Sequence, residues 1–291
     1  MTTTHALRTP AGTLTYDVHG PLPTADGRPP LFMVGAPMGA DGFATLASLL
    51  PDRTVVTYDV RGLGRSVRAD GSATQTPEQN ADDHHRIIEA LGAAGPVEVF
   101  ASSGGAVSAL ALVAAHPQDV TTLVAHEPPC LAVLPDADAA FAAERAVHAT
   151  YASHGWAAGM AHFIALTSVQ GELTDEFASA PAPDPAMFGM AMEDDGSRGD
   201  PLLSGVSDAI TTFRPDVEAL QAAPTRIVMA AGIESKGTLT WRTTEAVADL
   251  LGTEVEVFPS NHGGFVSSEG GYGGQPEAFA TRLREVLDTG R

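Results

Sequence analysis

Two residues of this 291-residue chain stand in settings that suit covalent catalysis. Ser103 follows the apolar run Val97–Phe100 and opens a stretch rich in Ala and Leu, within Ala101-Ser102-Ser103-Gly104-Gly105. A serine hydroxyl is a weak nucleophile until a base takes its proton and donors receive the charge developing on the attacked carbonyl. A tight strand–turn–helix elbow provides for both by pushing the side chain into strained backbone space above a sheet. The elbow needs small residues two before and two after the nucleophile, here Ala101 and Gly105. Centring it on Ser102 would put Phe100 where only a small side chain fits, so Ser103 is the candidate. The general base is expected at His262, in Ser260-Asn261-His262-Gly263-Gly264-Phe265, directly after the apolar run Val255–Phe258. A loop at that point can swing an imidazole over a sheet, and its small neighbours leave room for substrate.

Two N–H donors are needed for the oxyanion. Gly104, at the start of the helix after Ser103, offers one. The run Leu31–Val34 ends in Gly35-Ala36-Pro37-Met38-Gly39, where the glycine lets the backbone turn sharply. Pro37 has no N–H, so Ala36 is the candidate second donor. Met38 in the same loop is read as a substrate contact.

The elements that must position these residues follow from the alternation of short apolar runs with helical stretches, the pattern of a mostly parallel sheet covered on both faces. Strands are expected at Leu14–Val18, Leu31–Val34, Thr54–Val60, Val97–Ala101, Thr122–His126, Arg226–Ala231 and Val255–Phe258. Helices are expected at Thr76–Leu91, which begins with an N-cap threonine and a first-turn proline, and at Gly105–Ala115, Leu239–Leu251 and Pro276–Leu287. The alternation stops after Pro128-Pro129. Residues 132–222 show no convincing strand and carry many Phe and Met side chains, with Tyr151 and Trp156. They are read as a mainly helical cap inserted between sheet strands, with residues 1–131 and 223–291 as the core. Trp156 and Phe188 are the candidate cap contacts to an apolar substrate.

Composition narrows the partners. Sixteen Lys and Arg against 36 Asp and Glu give a formal net charge of −20, a surface that repels nucleic acid and anionic membranes. The single cysteine, Cys130, excludes an intramolecular disulfide. Met1–Pro10 lacks the apolar core of a signal peptide, and no run of about 18 apolar residues suggests a span. A cytoplasmic monomer or homodimer acting on a small molecule is expected. No cofactor or metal is expected either, since His84 and His85 lie about 100° apart on a helix and no other histidine pair has ligand spacing.

Taken in chain order, the Gly-Ala-Pro loop, Asp59-Val60-Arg61-Gly62-Leu63-Gly64-Arg65-Ser66, the elbow and Asn261-His262-Gly263-Gly264-Phe265 resemble the α/β-hydrolase superfamily. The likeness runs from about residue 13 to 290, the cap excepted. Ala125-His126-Glu127-Pro128-Pro129, Glu193-Asp194-Asp195-Gly196-Ser197-Arg198 and Gly232-Ile233-Glu234-Ser235 are similar to a serine-nucleophile branch of uncharacterised bacterial hydrolases. The resemblance implies a mostly parallel eight-stranded sheet flanked by helices, an acyl-enzyme mechanism, and Asp59 and Arg61 as scaffold that ties loops together.

It also implies an acid to hold the histidine's tautomer. The usual position, three residues after Gly232, is Ser235, so the standard aspartate is missing. Glu127 ends the preceding apolar strand, where one group of haloalkane dehalogenases carries its acid. A carboxylate there would be costly without a partner, and Glu127 is preferred, with Glu234 as the alternative. Serine as nucleophile argues against epoxide hydrolysis and dehalogenation. Small to medium apolar esters or lactones are the expected substrates. The missing aspartate keeps open a non-hydrolytic reading, a ligand-binding module or a biosynthetic cyclase, and a cofactor-free perhydrolase would use the same residues.

Overall fold

Period-two burial organises the centre of the molecule. In the computed structural model, which describes residues 2–92, 95–190, 193–267 and 273–289, Phe32 and Val34 face one hydrophobic cluster. Leu31 and Met33 face the other. Successive side chains of a strand point to opposite faces, so a strand apolar at every position is one covered on both sides.

The strands are β1 (Thr2–Thr9), β2 (Gly12–His19), β3 (Leu31–Ala36), β4 (Val55–Tyr58), β5 (Val67–Arg68), β6 (Val97–Ser103), β7 (Val120–His126), β8 (Arg226–Gly232) and β9 (Val255–Phe258). The sheet order is β1-β2-β4-β3-β6-β7-β8-β9, with β5 paired to β2 off this path. Pairing is parallel from β4 through β9 and antiparallel at β1, β2 and β5. The eight-strand path thus has a ninth member, too short at two residues to leave a pattern in the sequence. β1 was equally silent: Thr2–Thr9 is exposed and polar, and it forms as the outer arm of a hairpin that β2 templates.

Helices Pro77–Ala90, Gly104–Ala115 and Leu239–Leu251 cover one face of the sheet. Helix Pro276–Asp288 and the short helix Ala44–Ser48 cover the other. Among the described residues, none between β7 and β8 is a strand. That segment is built on Ala137–Thr167, two helices merged across Gly155 at φ 81°. A side chain on Gly155 would sit 2.3 Å from Asp194 Oδ1, so glycine serves both the kink and the close approach. Arg198 grips Asp194 through two hydrogen bonds of 2.9 and 2.6 Å, donates to Ala152 O and lies over the Tyr151 ring. The Glu193–Arg198 motif therefore clasps this kink. No helix among the described residues is long and apolar enough to cross a membrane.

Candidate active site

The elbow is a backbone event. β6 ends at Ser103 with φ 56° and ψ −132°, and the helix begins at the next residue. For a residue with a Cβ this conformation costs on the order of 1–3 kcal/mol and persists only where the surroundings enforce it. They do so here: a Cβ on Gly105 would lie 2.5 Å from Val34 O and 2.6 Å from Gly35 Cα, and Ala101 is fully buried. Ala36 is the register partner of Ser103 across β3 and β6. The backbones of Ala36 and Gly104 thus flank the serine on adjacent strand ends. Among the described residues Ser103 Oγ has no hydrogen-bond partner, which leaves it available to a reacting group.

β7 lies beside β6, with Ser102 opposite His126, so Glu127 follows one strand over from the serine. His262 Nδ1 donates to Glu127 Oε2 at 2.7 Å. Thr240 Oγ1 donates to the same oxygen at 2.6 Å and Gly232 N to Oε1 at 2.9 Å. The Glu127 side chain has no exposure, whereas the His262 ring is 43% exposed. Burial pushes the Glu127 carboxyl upward, but the hydrogen bond and charge of His262, with His126 and Thr240, outweigh it and hold the group well below the usual carboxylate range. An ionised Glu127 keeps a proton on Nδ1 and leaves the Nε2 lone pair free to accept one.

Three described non-glycine residues have φ in the left-handed region: Ser103, Glu127 at 49° and Ser260 at 67°. One is the candidate nucleophile, one the candidate acid and one stands two residues before the candidate base. Backbone strain of this kind gathers at working sites.

Glu234 goes elsewhere. Its carboxylate accepts from Gln275 Nε2 at 3.0 Å and lies 3.5 Å from Ser260 Oγ, while its backbone N–H bonds Ser260 O. It braces the loop that carries His262. Beneath the site, His126 is completely buried among Phe100, Phe258, Phe265 and Phe279. Its Nδ1 shares a 3.3 Å hydrogen bond with Ser102 Oγ, and its Nε2 makes no hydrogen bond but lies 4.0 Å from Glu127 Oε1. Burial pushes this imidazole down to about 4, so it is neutral near pH 7. Asp59 receives the N–H groups of Ala40 and Arg65 and the Arg65 side chain, and Arg61 is paired with Asp83. Asp59 thus ties the turn at Ala40 to the loop at Arg65, and Arg61 ties its own loop to helix Pro77–Ala90.

The three candidate substrate contacts differ in setting. Met38 packs back over Gly35 and Gly42 and against the core. Trp156 sits in the apolar cluster of the inter-strand segment and donates Nε1–H to Asp200 at 3.1 Å. Phe188 is 37% exposed, beside Met187 at 78%. Sequence reasoning missed Thr240 and the Gly232 N–H as hydrogen-bond donors to the candidate acid Glu127. Nothing in Thr238-Leu239-Thr240 distinguishes it from any helix start, whereas Gly232 did mark the strand end.

The α/β hydrolase fold family model matches residues 31–169. A protein of Bacillus subtilis named uncharacterized hydrolase YraK is 29% identical over 283 residues, which cover 97% of this chain and 95% of that one. An α/β hydrolase from Sphaerobacter thermophilus superposes with a TM-score of 0.62 at 20% identity, covering 97% of this chain and 100% of the other. A thermophilic esterase from Thermogutta terrifontis does so with a TM-score of 0.64 at 20% identity, covering 98% of each. Strand order, elbow position and a likeness that extends along nearly the whole chain lead to one architecture: the chain has the α/β-hydrolase fold.

Proposed function

We propose that this hydrolase acts through a Ser103–His262–Glu127 triad on small to medium, largely apolar esters or lactones. The observation that carries the reading is the 2.7 Å hydrogen bond from His262 to the buried Glu127, one strand from a serine with φ 56°. His262 Nε2 takes the Ser103 proton as Oγ attacks the carbonyl carbon. The Ala36 and Gly104 N–H groups hold the oxyanion, where such donors lower the barrier by about 3–4 kcal/mol each. The tetrahedral intermediate collapses to an acyl-serine, and His262 returns the proton to the leaving alcohol. Water, deprotonated by the same imidazole, then releases the acid and restores Ser103.

Residues 132–222 act in this reading as a cap. Its helices turn an apolar cluster toward the core through Leu131, Leu134 and Leu239, and Ile210 lies over the elbow at Gly104. Phe188 and Met38 supply apolar contact, and Trp156 shapes the cap from within. A hydrolase aligned along nearly the whole chain and an esterase of the same fold support hydrolysis of an ester-like bond. The surface charge of −20 favours neutral substrates over polyanions, in a cytoplasmic protein that works as a monomer or homodimer.

Fluorophosphonate labelling followed by intact mass tests the reading. Wild type gains one adduct and Ser103→Ala gains none, with turnover of an activated aryl ester reduced by about 10⁴-fold or more. An unlabelled wild type that is folded by circular dichroism sinks the proposal.

A further inference from the structure

The two strands that carry the candidate nucleophile and acid begin at a second cluster of ionisable groups. Val97, the first residue of β6, donates its N–H to Asp119 O, and Asp119 immediately precedes β7. The cluster is therefore at the opposite end of the sheet from Ser103, about 20 Å away at the rise of an extended strand.

Asp119, His85 and His116 meet there. His85 lies on helix Pro77–Ala90, and His116 follows the last turn of helix Gly104–Ala115. Their rings stack with centroids 3.7 Å apart and planes within 8°. His85 Nδ1 is 2.6 Å from Asp119 Oδ2. One nitrogen of each ring and one Asp119 oxygen all lie within 4.8 Å of one another. The far nitrogen of His85, Nε2, faces Glu89 Oε2 at 3.6 Å. Among the described residues the His116 ring makes no hydrogen bond, so it brings a free nitrogen to a carboxylate already aimed at its neighbour.

We propose that His85, His116 and Asp119 form a binding site for a divalent transition-metal ion of the zinc type. Two imidazole nitrogens and a carboxylate oxygen are a donor set suited to such an ion, with the fourth position left to water. Four-coordinate zinc, with ligands at about 2.0–2.1 Å, sets its donor atoms roughly 3.3 Å apart. Two stacked rings cannot both aim an in-plane lone pair at one ion, so closing from 4.8 Å requires the His116 ring, which makes no hydrogen bond among the described residues, to turn out of the stack. Glu89 Oε2, 3.6 Å from His85 Nε2, stands where a carboxylate can accept the Nε2 proton once Nδ1 is the ligand, the outer carboxylate role common around metal-bound histidines. When the ion binds, the proton shared between Nδ1 and Asp119 leaves to solvent, and the ion takes its place between nitrogen and oxygen. The site pins helix Pro77–Ala90 to the turn that begins β7, and touches no residue of the proposed triad.

Calorimetric titration of the chelator-stripped full chain with zinc chloride tests this. Wild type takes up one tight equivalent, and its melting temperature rises with zinc in excess. His116→Ala and Asp119→Asn each weaken that equivalent at least tenfold, and Glu89→Gln weakens it less. His148→Ala, placed in the separate Glu144–His148–Asp208 group, leaves it unchanged. The proposal fails if wild type binds no more tightly than His116→Ala, or if His148→Ala is the variant that removes the tight equivalent. Circular dichroism of each variant separates lost binding from lost fold, and Asp119→Asn, the same size as the native residue, guards against a misfolded alanine variant.

Discussion

Glu127, at the end of β7, and Glu144, in the helix of the inter-strand segment, are both carboxyls withdrawn from water, yet their affinities for a proton are shifted in opposite directions. Glu127 receives His262, Thr240 and the Gly232 N–H, and these hold it ionised against the pull of complete burial. Glu144 receives the Thr211 hydroxyl at 3.1 Å. Burial pushes it up to about 7, and the nearby Asp208 charge adds to the rise. Depth alone therefore does not decide whether a buried carboxyl is charged; the number and charge of the donors around it do. The contrast separates a site built to keep a charge from a segment that merely tolerates an acid.

The largest break in that comparison comes from removing the charge at Glu127. Glu127→Gln keeps the size of the side chain but cannot stabilise the imidazolium, and kcat for an activated ester falls by about 10³–10⁴-fold. Glu234→Gln removes a loop brace only, and its turnover stays within about threefold of wild type. Steady-state kinetics on both variants, at matched circular dichroism, decides the matter. If Glu234→Gln shows the large loss and Glu127→Gln the small one, the acid has been misassigned.

A second contrast is between buried groups with and without partners. Burial pushes the His126 ring down to about 4 and outweighs the Glu127 carboxylate, which lies 4.0 Å from an Nε2 that makes no hydrogen bond. The unfolded chain takes up the same proton near its usual value of about 6.5. The depressed group thus contributes stability that is present above about pH 6.5 and is lost as pH falls toward 4. His126→Phe keeps an aromatic ring among the surrounding phenylalanines and cannot charge. Urea unfolding followed from pH 7 to pH 4 gives a shallower loss of stability in this variant than in wild type; parallel curves would mean that His126 titrates normally.

How much of this was legible in the sequence depends on which interaction carried each element. The apolar strands β3, β4, β6 and β7 and the helices at 77–90, 104–115, 239–251 and 276–288 write their burial into the residue pattern, so their places could be read to within a few residues. The hairpin arm β1 is held by backbone pairing to β2, which leaves no side-chain periodicity to read. The turn at Ser103 and the loop at His262 were legible because an elbow and a post-strand loop impose small neighbours on both sides. The support of Glu127 by Thr240 was not, because 113 positions separate them and only the crossing of β7 with the helix after β8 brings them together. The stack of His85 on His116 escaped for the same reason, one lying on helix Pro77–Ala90 and the other just past helix Gly104–Ala115.

The smallest expected effect tests the tolerated acid. With its folded value raised to about 7, Glu144 favours the folded state below the ordinary glutamate range, and that contribution is lost as pH rises through 7. Glu144→Gln carries no charge to withdraw and can still accept from Thr211. Relative to wild type it is therefore more stable at pH 8, by about 1–2 kcal/mol once solvent screening at this partly exposed segment is allowed for. The gain shrinks toward zero at pH 5, where the wild-type carboxyl is already protonated. Urea denaturation at the two pH values checks the sign as well as the size. A gain of equal size at both would mean that packing rather than charge sets the stability at this position, and the parallel drawn with Glu127 would fail.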